Sequence, residues 1–244
     1  MIKAVFFDLD GTLVPCDTDE FVKGYYKLLI KYLMKTDIKL DISYEELPVF
    51  IYKACEAVFK NDGSKTNREL FWEAFFRLCE LDDDSKEAFI KACDHFYKNE
   101  FEEAKSLLSE LDPDIPLVFD LLDDHHIIKV LATSPVFPRA ATEKRITWVH
   151  KRYSDFEHVT TYENSIYCKP DLRYYKELLD LFALKADEVL MVGNDIREDM
   201  RPALALGMKT FLIERFILHD DGSYTGPKGD FKDLVRYLKE VEGL

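Results

Sequence analysis

The chain has 244 residues, 47% of them hydrophobic and 14% aromatic, with 33 Lys plus Arg against 47 Asp plus Glu and a formal net charge of −14. That apolar content suits a sizeable core and excludes a disordered chain, in which low hydrophobicity accompanies high charge. The acidic balance repels phosphate backbones and anionic lipid, so neither a nucleic-acid polymer nor a membrane is expected as a partner.

Met1-Ile2-Lys3 leads into only four apolar residues before Asp8, too few for a signal peptide, and no stretch reaches the length of a membrane span. A cytoplasmic address is the expectation. Residues 2–7 form a short apolar run ending in Asp8-Leu9-Asp10-Gly11-Thr12, the pattern of a buried strand followed by a turn. Residues 18–111 then read as helices only. Phe21, Tyr25, Leu28, Leu29 and Tyr32 recur at helical spacing, Ser43 to Glu46 and Thr66 to Glu69 each fit a capping box, and Phe89, Cys93, Phe96 and Tyr97 mark a fourth helix. Asp112-Pro113-Asp114-Ile115-Pro116 reads as the return junction.

Beyond it, strand-like runs at 126–133, 157–161, 188–193 and 209–214 alternate with helical stretches at 136–153, 171–182, 197–206 and 231–241. Strand and helix in alternation predict a parallel sheet covered by helices. The expected architecture is therefore an α/β core from residues 1–17 and 112–244, carrying an α-helical cap over 18–111.

Several conspicuous residues have plain explanations. Cys16, Cys55, Cys79, Cys93 and Cys168 form an odd set without a CxxC pair, as expected of reduced thiols rather than a disulfide framework or zinc site. His125-His126 lacks further His or Cys at ligand spacing, and the acidic runs at 82–84 and 220–221 read as solvated loops or caps. Phe71, Trp72, Phe75 and Phe76 read as helix packing, with the lining of a substrate pocket as the alternative.

The chemistry concentrates at Asp8 and Asp10. Two carboxylates two residues apart at the carboxyl end of a strand point the same way, where open parallel sheets place their ligands. One can attack an electrophile while the other gives and then takes a proton. Three further pieces follow in order: Val130-Leu131-Ala132-Thr133-Ser134, Cys168-Lys169-Pro170-Asp171, and Met191-Val192-Gly193-Asn194-Asp195-Ile196-Arg197-Glu198-Asp199. With Phe6-Phe7-Asp8-Leu9-Asp10-Gly11-Thr12 as the first, these four motifs resemble those of the haloacid-dehalogenase-like (HAD) hydrolase superfamily.

That resemblance implies a Rossmann-like core with an inserted helical cap and a Mg²⁺-dependent phosphatase acting on a small phosphorylated substrate. Asp8 would be the nucleophile that forms an aspartyl-phosphate and Asp10 the general acid and base. Thr12, Thr133, Ser134 and Lys169 would contact the phosphate, with Asp8, Asp10, Asn194, Asp195 and Asp199 as the metal set. Asn194 stands where the commonest family form has Asp. Whether it or Asp195 ligates the metal is open, its place directly after the strand favouring Asn194; Asp199 would orient Lys169 or a metal-bound water. Cations are also a physical requirement, since two carboxylates about 4 Å apart repel by roughly 4 kcal/mol at an effective dielectric of 20. A phosphomutase, a haloacid dehalogenase and a catalytically silent binding module are the competing readings on the same fold.

Overall fold

The computed structural model describes residues 1–36, 38, 43–79 and 81–244. Six parallel strands form one sheet: β1 (Ala4–Phe7), β2 (Ile128–Leu131), β3 (His158–Val159), β4 (Val189–Gly193), β5 (Lys209–Ile213) and β6 (Lys228–Gly229), in the order β3-β2-β1-β4-β5-β6. The first five are the strands expected from sequence. The two-residue β6 carried no readable pattern, since Lys228-Gly229 offers neither alternation nor an apolar run.

Both faces of this sheet are buried, and the strand composition shows why. In β1, Val5 and Phe7 belong to one apolar cluster while Ala4 and Phe6 belong to the other; in β4, Leu190 and Val192 divide in the same way from Val189 and Met191. Near-continuous apolar strands are the expected solution for a parallel sheet covered on both sides. On the first face lie α5 (Ile115–Asp124), whose Phe119 stacks on Phe7 with ring centroids 5.4 Å apart, and α9 (Phe231–Tyr237). On the other face, α7 (Leu172–Leu181) and α8 (Arg201–Leu206) bring Tyr174, Tyr175 and Ala203 against the strands. The sequence reading passed over α5 because Pro113 and Pro116 suggested a junction; Pro116 instead sits in its first turn, where a missing N–H costs nothing, and Ile115, Val118, Phe119 and Leu122 face inward.

The insertion between β1 and β2 contains α1 (Thr18–Leu33), α2 (Leu47–Phe59), α3 (Asn67–Leu78), α4 (Asp83–Lys98) and a 3-10 segment, Glu100–Leu107. Thr66 caps α3 with the complete reciprocal box to Glu69. The similar Ser43 to Glu46 pattern does bond side chain to chain, but α2 begins only at Leu47 with Glu46 as its cap, so that box closes a turn rather than opening the helix. Asp82, from the acidic run, caps α4 by accepting from Ser85 N at 2.8 Å.

Contacts from α6 and from the start of α3 tie the insertion to the core. Trp148, at the end of α6 (Arg139–Trp148), packs on Phe21 and Phe101 and donates its indole N–H to Glu102 Oε2 at 3.1 Å. The start of α3 meets the core loops through backbone bonds, Asn67 N to Ser165 O at 2.9 Å and Arg68 N to Tyr162 O at 2.7 Å. Among the described residues no helix is long and apolar enough to cross a membrane.

Candidate active site

β1 ends at Phe7, and the next residue, Asp8, is held at the sheet edge by its N–H, which donates to Val192 O of β4 at 2.9 Å. The chain then turns tightly. Gly11 has φ of 83°, and a Cβ there would stand 2.2 Å from Asn194 Nδ2. Glycine is thus needed twice, for the left-handed backbone and for the approach of the loop to the end of β4.

A single hydrogen-bonded chain runs through the cleft. Asp8 Oδ1 accepts from Lys169 Nζ at 2.7 Å, and Lys169 also donates to Asp199 Oδ1 at 2.6 Å. Asp199 Oδ2 in turn accepts from Asp195 N at 3.1 Å. On the other side, Thr12 Oγ1 lies 3.2 Å from Asp8 Oδ2 and 3.1 Å from Asn194 Oδ1, with one proton to share between them. Asn194 donates its Nδ2 to Phe216 O at 2.6 Å, which turns its carbonyl oxygen towards Thr12 and Asp8.

The charges are strongly coupled. Burial by itself would pull the Lys169 ammonium down, but Asp199 and Asp8 outweigh it and hold the group well above its ordinary range. Burial pushes the Asp199 carboxyl up, with Lys169 opposing. Lys169 is thus a single cation set between two carboxylates.

Asp10 is handled separately. Its Oδ2 forms an ion pair with Arg145 of α6, whose side chain is completely buried, while its Oδ1 is buried without a hydrogen-bond partner. Burial raises the Asp10 carboxyl; Arg145 opposes that shift and Asp8 adds to it. Arg145 is further fixed by donating Nε to Ala141 O at 3.3 Å and by lying 4.1 Å over the centre of the Phe137 ring. Sequence reasoning missed Arg145, because it belongs to no motif; only the structure shows it buried on α6 together with Ala141 and Thr142.

Thr133 follows β2 and is buried, its carbonyl pinned by Tyr174 OH at 2.9 Å and Thr160 Oγ1 at 2.7 Å. Neither partner was foreseen. The Ser134 hydroxyl beside it is buried without a partner. Asp195 takes a different direction from Asn194. Its carboxylate accepts from Arg197 N at 2.8 Å and Glu198 N at 3.0 Å and lies 2.9 Å from His219 Nδ1, so it caps the turn leading into α8. Cys16, six residues after Asp10, is no competing nucleophile: burial pushes its thiol up, reinforced by Asp10.

A hard divalent cation fits this donor set. The Asp8 and Asn194 oxygens converge on one hydroxyl, Asp10 keeps an unsatisfied buried oxygen nearby in the chain, and every donor is oxygen. Among the described residues no group of three or more His, Cys, Asp or Glu side chains is placed to hold a metal ion. Mg²⁺ needs none, because it keeps several waters and takes one or two carboxylates together with substrate phosphate oxygens.

The chain is 24% identical over 244 residues to a glyceraldehyde 3-phosphate phosphatase from Methanothermobacter thermautotrophicus, covering 99% of this chain and 100% of the relative. It is 25% identical over 271 residues to the enzyme of that name from Methanocaldococcus jannaschii, covering 98% and 100%. Its fold matches the crystal structure of a 2-haloacid dehalogenase from Pseudomonas syringae pv. tomato with a TM-score of 0.66 at 18% identity, covering 97% and 100% of the two chains. The family model for haloacid dehalogenase-like hydrolases matches residues 2–207, and the chain belongs to that family of hydrolases.

Proposed function

We propose that this hydrolase is a Mg²⁺-dependent phosphatase of small phosphomonoesters working through an aspartyl-phosphate at Asp8. The observation that carries the reading is the pairing of Asp8, which has one oxygen on Lys169 and the other on the Thr12 hydroxyl, with a second carboxylate, Asp10, that keeps one oxygen free. The two relatives named as phosphatases, matched over 99% and 98% of this chain, support it.

Asp8 attacks phosphorus through one oxygen, and the bond from phosphorus to the ester oxygen breaks. Asp10 gives its proton to that departing oxygen; the burial that raises its carboxyl favours the proton-carrying form. In the second half, Asp10 takes a proton from a water that attacks phosphorus, the bond to Asp8 breaks, and inorganic phosphate leaves. Lys169 supplies fixed positive charge beside Asp8, and the hydroxyls of Thr133 and Ser134 are donors for the equatorial oxygens. Thr12 holds Asp8 and Asn194 in register. Asp8 and Asn194, beside Asp10, would hold Mg²⁺, which would supply charge that neutralises the phosphoryl oxygens. Asp199 orients Lys169, and Asp195 fixes the loop that carries Asp199.

A dehalogenase needs no group to protonate its leaving halide, so the buried Asp10–Arg145 pair favours ester chemistry. The test is phosphate release from a panel of phosphomonoesters, with and without Mg²⁺, for the wild type and Asp8→Asn. Turnover that requires Mg²⁺ and disappears in a folded Asp8→Asn protein is expected; retained turnover in that variant overturns the nucleophile assignment.

A further inference from the structure

The cap meets the core along a seam with two unlike halves. One half is apolar and incompletely filled: a cavity of about 110 Å³ lies there, between Tyr25, Trp72 and Tyr97 of the cap and Phe137, Pro138 and Tyr162 of the core loops. Rings that face a void forfeit part of their dispersion contact, so this half sets the position of the cap only loosely. The other half is polar and directional, and it converges on Asn67, the first residue of α3, which is completely buried.

The Asn67 side chain is oriented from within the cap. Asn61 Nδ2 donates to Asn67 Oδ1 at 2.9 Å and to Lys65 O at 2.9 Å, which leaves the N–H end of the Asn67 amide to face the core. There Nδ2 has two hydrogens for three acceptors, Pro135 O at 3.3 Å, Tyr167 O at 3.4 Å and Cys168 Sγ at 3.4 Å. The corner around it is close-packed. Arg173 lies 4.2 Å over the centre of the Tyr167 ring and donates Nη2 to Asn61 O at 3.4 Å, and a Cβ on Gly63 would stand 2.4 Å from the Tyr167 hydroxyl.

The acceptors identify what this amide does. Pro135 follows Ser134 and Cys168 precedes Lys169, so Asn67 reaches two separate segments that each carry a group of the phosphate site. Among the described residues, the hydrogen bonds that reach both Pro135 and the Tyr167–Cys168 pair come from this one side chain. Thr133 is tied independently, through its carbonyl, by Tyr174 and Thr160. The Ser134 hydroxyl has no partner of its own, so its direction follows from the backbone on either side of it.

We propose that Asn67 is a positioning residue for the phosphate site: it ties the segment carrying Ser134 to the segment carrying Lys169 while the start of α3 is seated on the core. The proposal rests on the phosphatase reading above and adds to it a cap residue that touches no substrate. Coupling between two sites is reciprocal. The seat of α3 strengthens phosphate binding, and phosphate held by Ser134 and Lys169 stabilises the seat.

Inorganic phosphate in the presence of Mg²⁺ is the probe, its dissociation constant measured by calorimetry for the wild type, Asn67→Ala and Thr66→Ala. The last variant weakens the same helix start but keeps the amide. Asn67→Ala is expected to bind phosphate about tenfold more weakly and to lose a similar factor in kcat/KM on phosphomonoesters of unlike head group, because only the phosphoryl end is affected. Thr66→Ala is expected to bind phosphate as the wild type does. A folded Asn67→Ala protein with wild-type phosphate affinity, or an equal loss in Thr66→Ala, overturns the inference and leaves the phosphatase intact. Should Asn67→Ala fail to fold, hydrogen exchange of the wild type decides: phosphate should slow the amides of Asn67 and Arg68, which bond to Ser165 O and Tyr162 O, more than those of α4. Uniform or absent slowing overturns the inference. A wild type that neither binds phosphate nor turns over any phosphomonoester sinks the phosphatase reading itself, and the role of Asn67 with it.

Discussion

The cleft at the strand ends and the aromatic cavity in the cap treat carboxylates in opposite ways. In the cleft every carboxylate on the reaction side has a cation from the same chain, Asp8 and Asp199 sharing Lys169 and Asp10 holding Arg145. In the cavity Asp94 carries no salt bridge among the described residues, and its neighbours are rings. The carboxylates of the cleft are fixed by internal ion pairs, whereas Asp94 has no such partner among the described residues. Arg145 and Phe137 form the partition between them.

Substitutions on the two sides should therefore have distinct signatures. Replacing Asp10 by Asn keeps shape and removes the proton carrier, so kcat should fall by about 10²–10⁴-fold for every substrate while discrimination between them is unchanged. Steady-state kinetics on two esters of different head group check this; a loss confined to one ester would break the division. Arg145→Met should act on stability first. It strips the partner from a buried carboxylate, and the expected cost is about 3–5 kcal/mol in denaturant unfolding. A change under 1 kcal/mol would mean that Asp10 readily exchanges its partner for water. The smallest effect belongs to Thr66→Ala, which removes the cap of α3 and should cost about 1 kcal/mol while leaving kcat alone. A larger fall in kcat/KM than in stability would show that the start of α3, which carries Asn67 to the core loops, also governs closure over the site.

Much of the core was legible because its chemistry is local in sequence. Asp8 and Asp10 stand at the end of a strand that an apolar run announces, Thr133, Lys169 and Asn194 became candidates through the four-motif resemblance, and a helical insertion follows from uninterrupted helical spacing after Thr18. Contacts across the chain were not legible. Arg145 meets Asp10 from 135 positions away, and nothing in Lys144-Arg145-Ile146 distinguishes a buried ion pair from a solvated helix face. Asn194 and Asp195 were ambiguous because both can offer an oxygen; what separates them is the bond from Asn194 to Phe216 O and the approach of His219 to Asp195, both brought by the loop after β5. Phe71, Trp72 and Phe75 have the spacing of core residues and are indeed packed, yet they also face a void. Periodicity reports which way a side chain points, without saying whether the space beyond it is filled.

The central claim is the covalent role of Asp8. Acid quench of the wild-type protein during turnover with Mg²⁺, followed by peptide mass analysis, measures it most directly. A phosphoryl adduct confined to the peptide carrying Asp8, and absent from Asp8→Asn, is the predicted result. Phosphoryl transfer to another residue, or phosphate release by Asp8→Asn at the wild-type rate, would contradict it.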